Sequence, residues 1–128
     1  MRLHQLLNNQ FRPSAVPQSF DLAGAMDRVA GDHELFCELA QMFVDASADL
    51  LAEIEQALAD GNGEELTRWA HTLKGSASNF CAGESRDLAA RLEAAAADGN
   101  LDDAADLLPT LTAAVAHFAA DLSEAADL

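Results

Sequence analysis

The sequence has few of the residues that build β-sheets: it contains no tyrosine, one isoleucine and four valines among its 128 residues. Because strands favour β-branched and aromatic side chains, the composition argues against an all-β or doubly wound fold. The two cysteines, Cys37 and Cys81, are too few for a disulfide scaffold and do not have zinc-site spacing. No stretch approaches the ~20 apolar residues of a membrane span, and residues 1–11 lack the apolar core of a signal peptide. We therefore expect a cytoplasmic protein that does not enter a membrane.

Positive charge is also scarce, since 7 Lys and Arg face 22 Asp and Glu, for a net charge of −15. Such a field repels nucleic acid and favours cationic or metal-bearing partners. The sequence has no Gly-rich phosphate loop, no paired metal-ligand motif on a helix and no glycine-flanked serine elbow. We expect that the chain binds no metal and no cofactor, and that it is not an enzyme in its own right.

Alanine is the abundant residue, with 28 copies, and it is the best helix former. Apolar residues recur at three- and four-residue steps, which predicts helices rather than strands. The predicted helices cover residues 22–30, 32–59, 64–80, 84–98 and 101–126. Because their connections are short, consecutive helices must be antiparallel. The predicted fold is all-α, an up-and-down antiparallel four-helix bundle with an additional short N-terminal helix.

Turn and capping residues set the predicted boundaries. Asp21 and Asn62 each stand where an N-cap is expected, Asp32 begins the longest helix, and glycines follow three of the helices. Residues 20–126 are predicted to form the bundle. Residues 1–19 are predicted to be an N-terminal leader or linker. The helical spacing of its apolar residues leaves two alternatives open, a short amphipathic helix that packs on the bundle or leftover linker; these residues are Leu3, Leu6, Leu7 and Phe11.

Two further expectations concern packing. Pro109 falls inside the last helical segment, so we expect a kink or a fresh helix start there. The longest helix is predicted to bury one apolar stripe in the core. That stripe comprises Leu35, Leu39, Met42, Phe43, Ala46, Leu50, Ile54 and Leu58.

The residues that do not fit a purely structural helix lie in the segment 64–80. At 100° per residue, His71 falls about 140° from Leu66 and therefore faces solvent. Lys74, the only lysine of the chain, follows one turn later. Gly75 costs roughly 0.5–1 kcal/mol relative to alanine in a helix interior, and close approach by another molecule is one reason to accept that cost. The candidate docking residues for such a partner are Thr67, Arg68, Gly75 and Ser78.

An exposed helical histidine is usually an ordinary surface residue, so the other histidines serve as internal controls. None of His4, His33 and His117 has a lysine three residues later or a glycine four residues later. The combination therefore marks His71 as the candidate for function.

The sequence around His71 resembles the signature of the histidine-containing phosphotransfer (HPt) domain. The similar stretches are residues 70–77 and 88–93, with residues 20–22 and 31–35 resembling the start of such domains. The resemblance covers residues 20–122. It implies a four-helix bundle that accepts a phosphoryl group from a receiver-domain aspartyl phosphate and passes it to another receiver in a two-component phosphorelay. The implied partners are response-regulator receiver domains and a hybrid sensor histidine kinase, with the divalent metal in the receiver.

The resemblance also implies the role of each site residue. His71 is the phospho-acceptor, Lys74 stabilises the phosphoryl charge, and Gly75 leaves room for the receiver. Glu93 matches a position whose polar side chain orients the histidine, although a solvated surface acid remains the alternative. Cys81 departs from the family, because glycine is common at that turn. Ser85 departs as well, because leucine is common there and we expect weaker packing at the start of its helix.

Three alternatives to the phosphorelay intermediate stay open at this point. A pseudo-HPt adaptor would bind a receiver without taking phosphate. In the second alternative, the chain is the C-terminal module of a hybrid sensor histidine kinase. The third alternative is a plain helical packing module, in which Cys37 would mark a dimerisation surface. The phosphorelay intermediate, in contrast, is expected to be a monomer.

Overall fold

The computed structural model describes residues 19–128, and these residues form five α-helices and no strand. Connections of three or four residues join consecutive helices, so neighbours run antiparallel. The four longer helices close a bundle, since α2 and α4 each pack against α3 and α5, and α1 packs on α2. The predicted four-helix bundle with a short additional helix is confirmed. The helices are α1 (Leu22–Arg28), α2 (His33–Ala59), α3 (Gly63–Asn79), α4 (Gly83–Ala97) and α5 (Leu101–Ala125).

Capping side chains set most of the helix starts. Asp32 accepts a hydrogen bond from the backbone N–H of Leu35 at 3.0 Å, and Asn62 accepts one from Glu65 at 3.1 Å. These bonds satisfy backbone donors that the first helical turn leaves unpaired. Asp21 stands at the N-cap position of α1, but its side chain makes no capping bond, so that expectation was only partly right.

The core is centred on a cluster of phenylalanine rings and continues in leucine and alanine. The rings of Phe43 and Phe118 lie 4.8 Å apart, and Phe80 lies 5.8 Å from Phe118. Along α3 the buried stripe consists of Leu66, Ala70, Leu73 and Ala77, each 0% exposed. Because this stripe fixes the rotation of α3, the opposite side of the helix must face solvent.

The predicted buried stripe of α2 was wrong in part, because Leu35, Leu39, Met42 and Ala46 are exposed. Met42 leaves 66% of its surface in solvent. Small buried residues let α2 pack closely against its neighbours on a different face from the predicted one. A search for large apolar side chains does not detect these small residues. The residues that α2 buries are Phe36, Ala40, Phe43, Ser47, Ile54 and Ala57.

Pro109 does not start a new helix, since α5 is continuous from Leu101 to Ala125. A proline inside a helix removes one backbone hydrogen bond and costs ~3 kcal/mol. Burial of the apolar residues that follow on α5 offsets this cost. The fully buried ones include Leu111, Phe118 and Leu122.

Two further positions singled out in the sequence, Cys37 and Ser85, are both at least partly buried. Cys37 is half-buried, and its thiol lies 3.7 Å from the carbonyl oxygen of Ala126. Ser85 is buried in the first turn of α4. The predicted leader or linker of residues 1–19 lies outside the described residues except for residue 19. Within residues 19–128, no helix combines the length and the apolar character that crossing a membrane needs.

Candidate functional site

His71 lies in the middle of α3 on the side away from the core, as its spacing predicts. Its side chain is 68% exposed, whereas its neighbour Ala70 is fully buried. The imidazole is therefore open to a second protein, and the fixed rotation of α3 keeps it there.

Glu93 approaches His71 from the neighbouring helix α4. Its Oε2 lies 2.7 Å from Nδ1 of His71, and its Oε1 lies 2.6 Å from Nζ of Lys74. One carboxylate thus bridges the histidine and the only lysine. The Glu93 side chain is 22% exposed and that of Lys74 33%, whereas the His71 side chain is 68% exposed, so the bridge lies at the surface with its histidine end open to water.

The bridge affects the pKa of Glu93 and the tautomer of His71. The hydrogen bond from Lys74 holds the pKa of Glu93 below its ordinary value of 4.5, with a smaller contribution from His71, while burial acts in the opposite direction. Glu93 is therefore a carboxylate at neutral pH and can only accept hydrogen bonds. Nδ1 of His71 must then carry a hydrogen, so in the neutral ring the lone pair lies on the outer nitrogen, Nε2.

Lys74 is already engaged in the resting structure, which the sequence did not predict. Its ammonium bonds to Glu93, and its side chain is 33% exposed. An ammonium has three donors, so two remain for another acceptor. Lys74 can hold Glu93 and still contact an anion near His71.

The predicted docking residues differ in what they expose. Thr67 and Arg68 line a shallow depression together with His71 and Glu93. The hydroxyl of Thr67 donates to the carbonyl of Gly63 at 2.7 Å. Arg68 is exposed and donates to Glu65 at 2.8 Å, with its guanidinium 5.0 Å from the ring of Trp69.

Ser78 lies two turns after His71, and its hydroxyl donates to the carbonyl of Lys74 at 2.8 Å. The hydroxyls of Thr67 and Ser78 are therefore satisfied within α3 itself. Arg68 is the docking candidate that presents a charged group to solvent.

Gly75 is exposed, and a Cβ built on it meets no atom within 4 Å. Gly24 is different, because a Cβ there would lie 2.8 Å from Oδ2 of Asp21 and 2.9 Å from Sγ of Cys81. Packing within the chain explains the glycine at position 24 but not the one at position 75. The gap beside His71 is open to an approaching molecule.

An apolar groove runs beside His71 between α1, α2 and α3, and sequence reasoning missed it. It encloses about 290 Å³. Its α3 wall starts at Thr72, the residue after His71, and its α2 wall contains the exposed Leu39 and Met42. The sequence did contain one indication of this groove, because the apolar residues of α2 cover a wider face of the helix than one buried stripe needs.

The turn after α3 forms with a cysteine in place of the family's common glycine. Cys81 has a φ of 55°, in the left-handed region that favours glycine. Its carbonyl accepts a hydrogen bond from the backbone N–H of Asp21 at 3.2 Å. The turn that follows the histidine helix is therefore intact.

No group of three or more His, Cys, Asp or Glu side chains within residues 19–128 is arranged to hold a metal ion. The chemistry of this surface rests on the imidazole, the carboxylate and the ammonium.

Comparison with known families gives one match. The family model described as "Hpt domain" matches residues 38–123, from α2 into α5, and this range includes both His71 and Glu93. No curated protein and no solved structure matches the chain significantly. Hpt domains carry out histidine phosphotransfer in phosphorelays, where they work with receiver domains. The match spans more than half of the chain, which therefore belongs to the Hpt domain family.

Proposed function

We propose that this chain accepts a phosphoryl group on Nε2 of His71 from the aspartyl phosphate of one receiver domain and passes it to another. The observation that carries the proposal is the contact between Nδ1 of His71 and Glu93 beside an otherwise exposed imidazole. An exposed nitrogen with a free lone pair, on a ring held by its other nitrogen, is what nucleophilic attack requires.

The transfer step needs no reactant other than the imidazole of His71 and the aspartyl phosphate of the receiver. The lone pair of Nε2 forms the N–P bond as the acyl P–O bond of the aspartyl phosphate breaks, and the aspartate leaves as a carboxylate. The ring gains positive charge, and the carboxylate of Glu93 stabilises it through the Nδ1–H hydrogen bond. Transfer to the second receiver reverses the step. Phosphoryl transfer depends on positioning and charge neutralisation, so a domain without a deep pocket suffices.

We assign separate roles to the two charged neighbours. Glu93 positions the ring of His71 and fixes its tautomer. Lys74 keeps Glu93 ionised and directs its free donors to the phosphoryl oxygens. The receiver supplies the divalent metal and most of the neutralising charge.

The receiver docks, in this proposal, over Gly75 and the apolar groove. Exposed apolar side chains such as Met42 lose contact with water when a partner covers them, which favours binding. Arg68 contributes a solvent-facing charge at the opposite side of His71, with Thr67 and Ser78 as packing surface. The bundle of residues 20–126 is the acting unit, located in the cytoplasm, and the first receiver belongs to a hybrid sensor kinase.

The test is transfer from phosphorylated receivers of the same genome to the purified chain. We expect acid-labile, base-stable phosphate on the wild type and none on His71→Gln. His117→Gln is the matched control, because His117 is also an exposed histidine in a helix. Phosphate on His71→Gln would refute the assignment. An unphosphorylated wild type that binds a receiver as tightly as His71→Gln does would establish the pseudo-HPt adaptor instead.

A further inference from the structure

We propose that the receiver docking on this chain carries a row of Lys or Arg side chains along one edge of its apolar contact surface, and that exposed acids of α2 select it. This inference rests on the proposed function, because it names the chemistry of the partner that covers the apolar groove. The acids, which we call the acidic edge, are Glu34, Glu38, Asp45 and Asp49.

The acidic edge borders the groove on the solvent side of α2. At 3.6 residues per turn, the groove residues Leu39 and Ala46 fall about 40–60° from Met42 toward the buried face of the helix. The four acids are all exposed and fall about 20–80° from Met42 in the opposite direction. The 15 residue steps from Glu34 to Asp49 correspond to about 22 Å, so the acids run beside the whole α2 wall of the groove.

No cation within the described residues pairs with the acidic edge. The sequence of α2 contains no Lys or Arg, and the ion pairs formed among residues 19–128 all lie outside this helix. Like charges four residues apart on a helix repel each other. The acidic edge contains two such pairs, Glu34 with Glu38 and Asp45 with Asp49. The acids therefore lower the stability of α2, and a cationic partner is a reason to accept that cost.

The charge beside the groove is one-sided. Uncharged residues form its other two walls, and the exposed charges next to its α1 wall, Asp27 and Arg28, have opposite signs. On α3, Gly75 and Thr72 fall about 40° and 100° from His71 toward the groove. A receiver that reaches His71 thus meets the gap at Gly75, then the apolar groove and finally the acidic edge. Its phospho-aspartate and its row of cations must lie on opposite sides of its apolar contact surface.

The two parts of this surface contribute differently to binding. Removal of apolar side chains such as Met42 from water favours the complex with any receiver that has an apolar contact surface. Complementary charge at the rim speeds association and excludes wrong partners, because like charges brought together are unfavourable. The acidic edge therefore separates receivers with a cationic edge from receivers that share only the apolar surface.

The test uses unphosphorylated receivers of the same genome, each titrated into the full chain by isothermal titration calorimetry. The receiver that binds most tightly is then titrated into Asp45→Asn/Asp49→Asn. We expect this variant to bind about 2- to 30-fold more weakly at low ionic strength. The difference should vanish at about 1 M salt, where charges are screened within ~3 Å.

The matched control is Asp102→Asn/Asp106→Asn, which removes two exposed acids with the same spacing from α5 and should leave the affinity unchanged. Asp106 lines a depression between α4 and α5, away from the groove. Asp45→Glu/Asp49→Glu keeps the charge and should bind like the wild type. Because Asp45→Asn/Asp49→Asn loses a repulsive pair, it should melt at or above the wild-type temperature.

Four results would overturn the proposal. These are equal affinities of the wild type and Asp45→Asn/Asp49→Asn, an equal loss of affinity in the control or in Asp45→Glu/Asp49→Glu, a lower melting temperature of Asp45→Asn/Asp49→Asn, and the absence of any receiver that binds the wild type. None of these measurements depends on phosphate. Charge-dependent binding to a chain that takes no phosphate would refute the phosphotransfer function and support the acidic edge. Phosphotransfer with equal affinities in all variants would do the reverse.

Discussion

Replacing Gly75 by alanine should move stability and function in opposite directions. Gly75 lies inside α3, and its added Cβ would meet no atom within 4 Å. Alanine is favoured over glycine in a helix interior by about 0.8–1.0 kcal/mol. Since no contact is lost, Gly75→Ala should raise the free energy of unfolding by about that amount, and the melting temperature by roughly 4 °C in a chain of this size.

The same methyl group should slow phosphotransfer. It would project into the gap over which we place the receiver, and overpacking a close contact costs about 1–3 kcal/mol. At about 1.4 kcal/mol for each factor of ten, the transfer rate should fall by roughly 5- to 150-fold.

The assay pairs thermal unfolding, followed by circular dichroism, with the rate of phosphate transfer from a receiver. Gly24→Ala is the control, because its Cβ would have to displace the side chains of Asp21 and Cys81, so it should raise the melting temperature by less than Gly75→Ala does. An unchanged transfer rate in Gly75→Ala would refute the idea that the receiver approaches closely at Gly75. A lower melting temperature for Gly75→Ala would refute the open gap itself.

Three further predictions concern the bridge and a turn. Glu93→Ala should slow transfer about 10- to 150-fold, because loss of a charged hydrogen bond costs ~1.5–3 kcal/mol. ¹⁵N NMR should show a smaller share of the Nδ1–H tautomer of His71, and an unchanged share would contradict the positioning role. The lowered pKa of Glu93 makes its stabilising effect present above pH 4.5 and lost as the pH falls through the folded pKa. The stability of wild type over Glu93→Gln in urea unfolding should therefore shrink on acidification, and a constant gap would exclude the ionised bridge. Ala30 is exposed with a φ of 54°, so Ala30→Gly should stabilise the chain by about 0.5–1 kcal/mol, and a loss of stability would contradict the left-handed turn.

The fold and the exposure of His71 were predictable because both depend on periodicity within single helices. The contacts of Glu93 were harder to predict. Within α4 it falls on the flank of the buried stripe, and only the packing of α3 against α4 shows that it reaches His71 and Lys74 together. A resemblance to known domains supplied its contact with the histidine, but nothing in the sequence indicated that the lysine shares the same carboxylate.

The apolar groove was not predicted for a related reason. Periodicity identifies apolar residues that share a face of α2, but it does not tell which face the other helices cover. Ala40 and Ser47 are buried because small side chains allow close packing, while Leu39 and Met42 remain exposed beside α3. Pro109 was misjudged for a similar reason, because its local preference for ending a helix could be read from the sequence but the burial of apolar residues along α5 could not. The helix continues through Pro109.

The most direct test is to locate the phosphoryl group after transfer from a phosphorylated receiver. ¹H–³¹P correlation NMR distinguishes the two ring nitrogens, and peptide mass spectrometry identifies the histidine. We predict phosphorus bonded to Nε2 of His71, with Nδ1–H still donating to Glu93. Phosphorus on Nδ1, on another histidine such as His33, or on no residue at all would contradict the assignment of this surface as a phosphoryl relay.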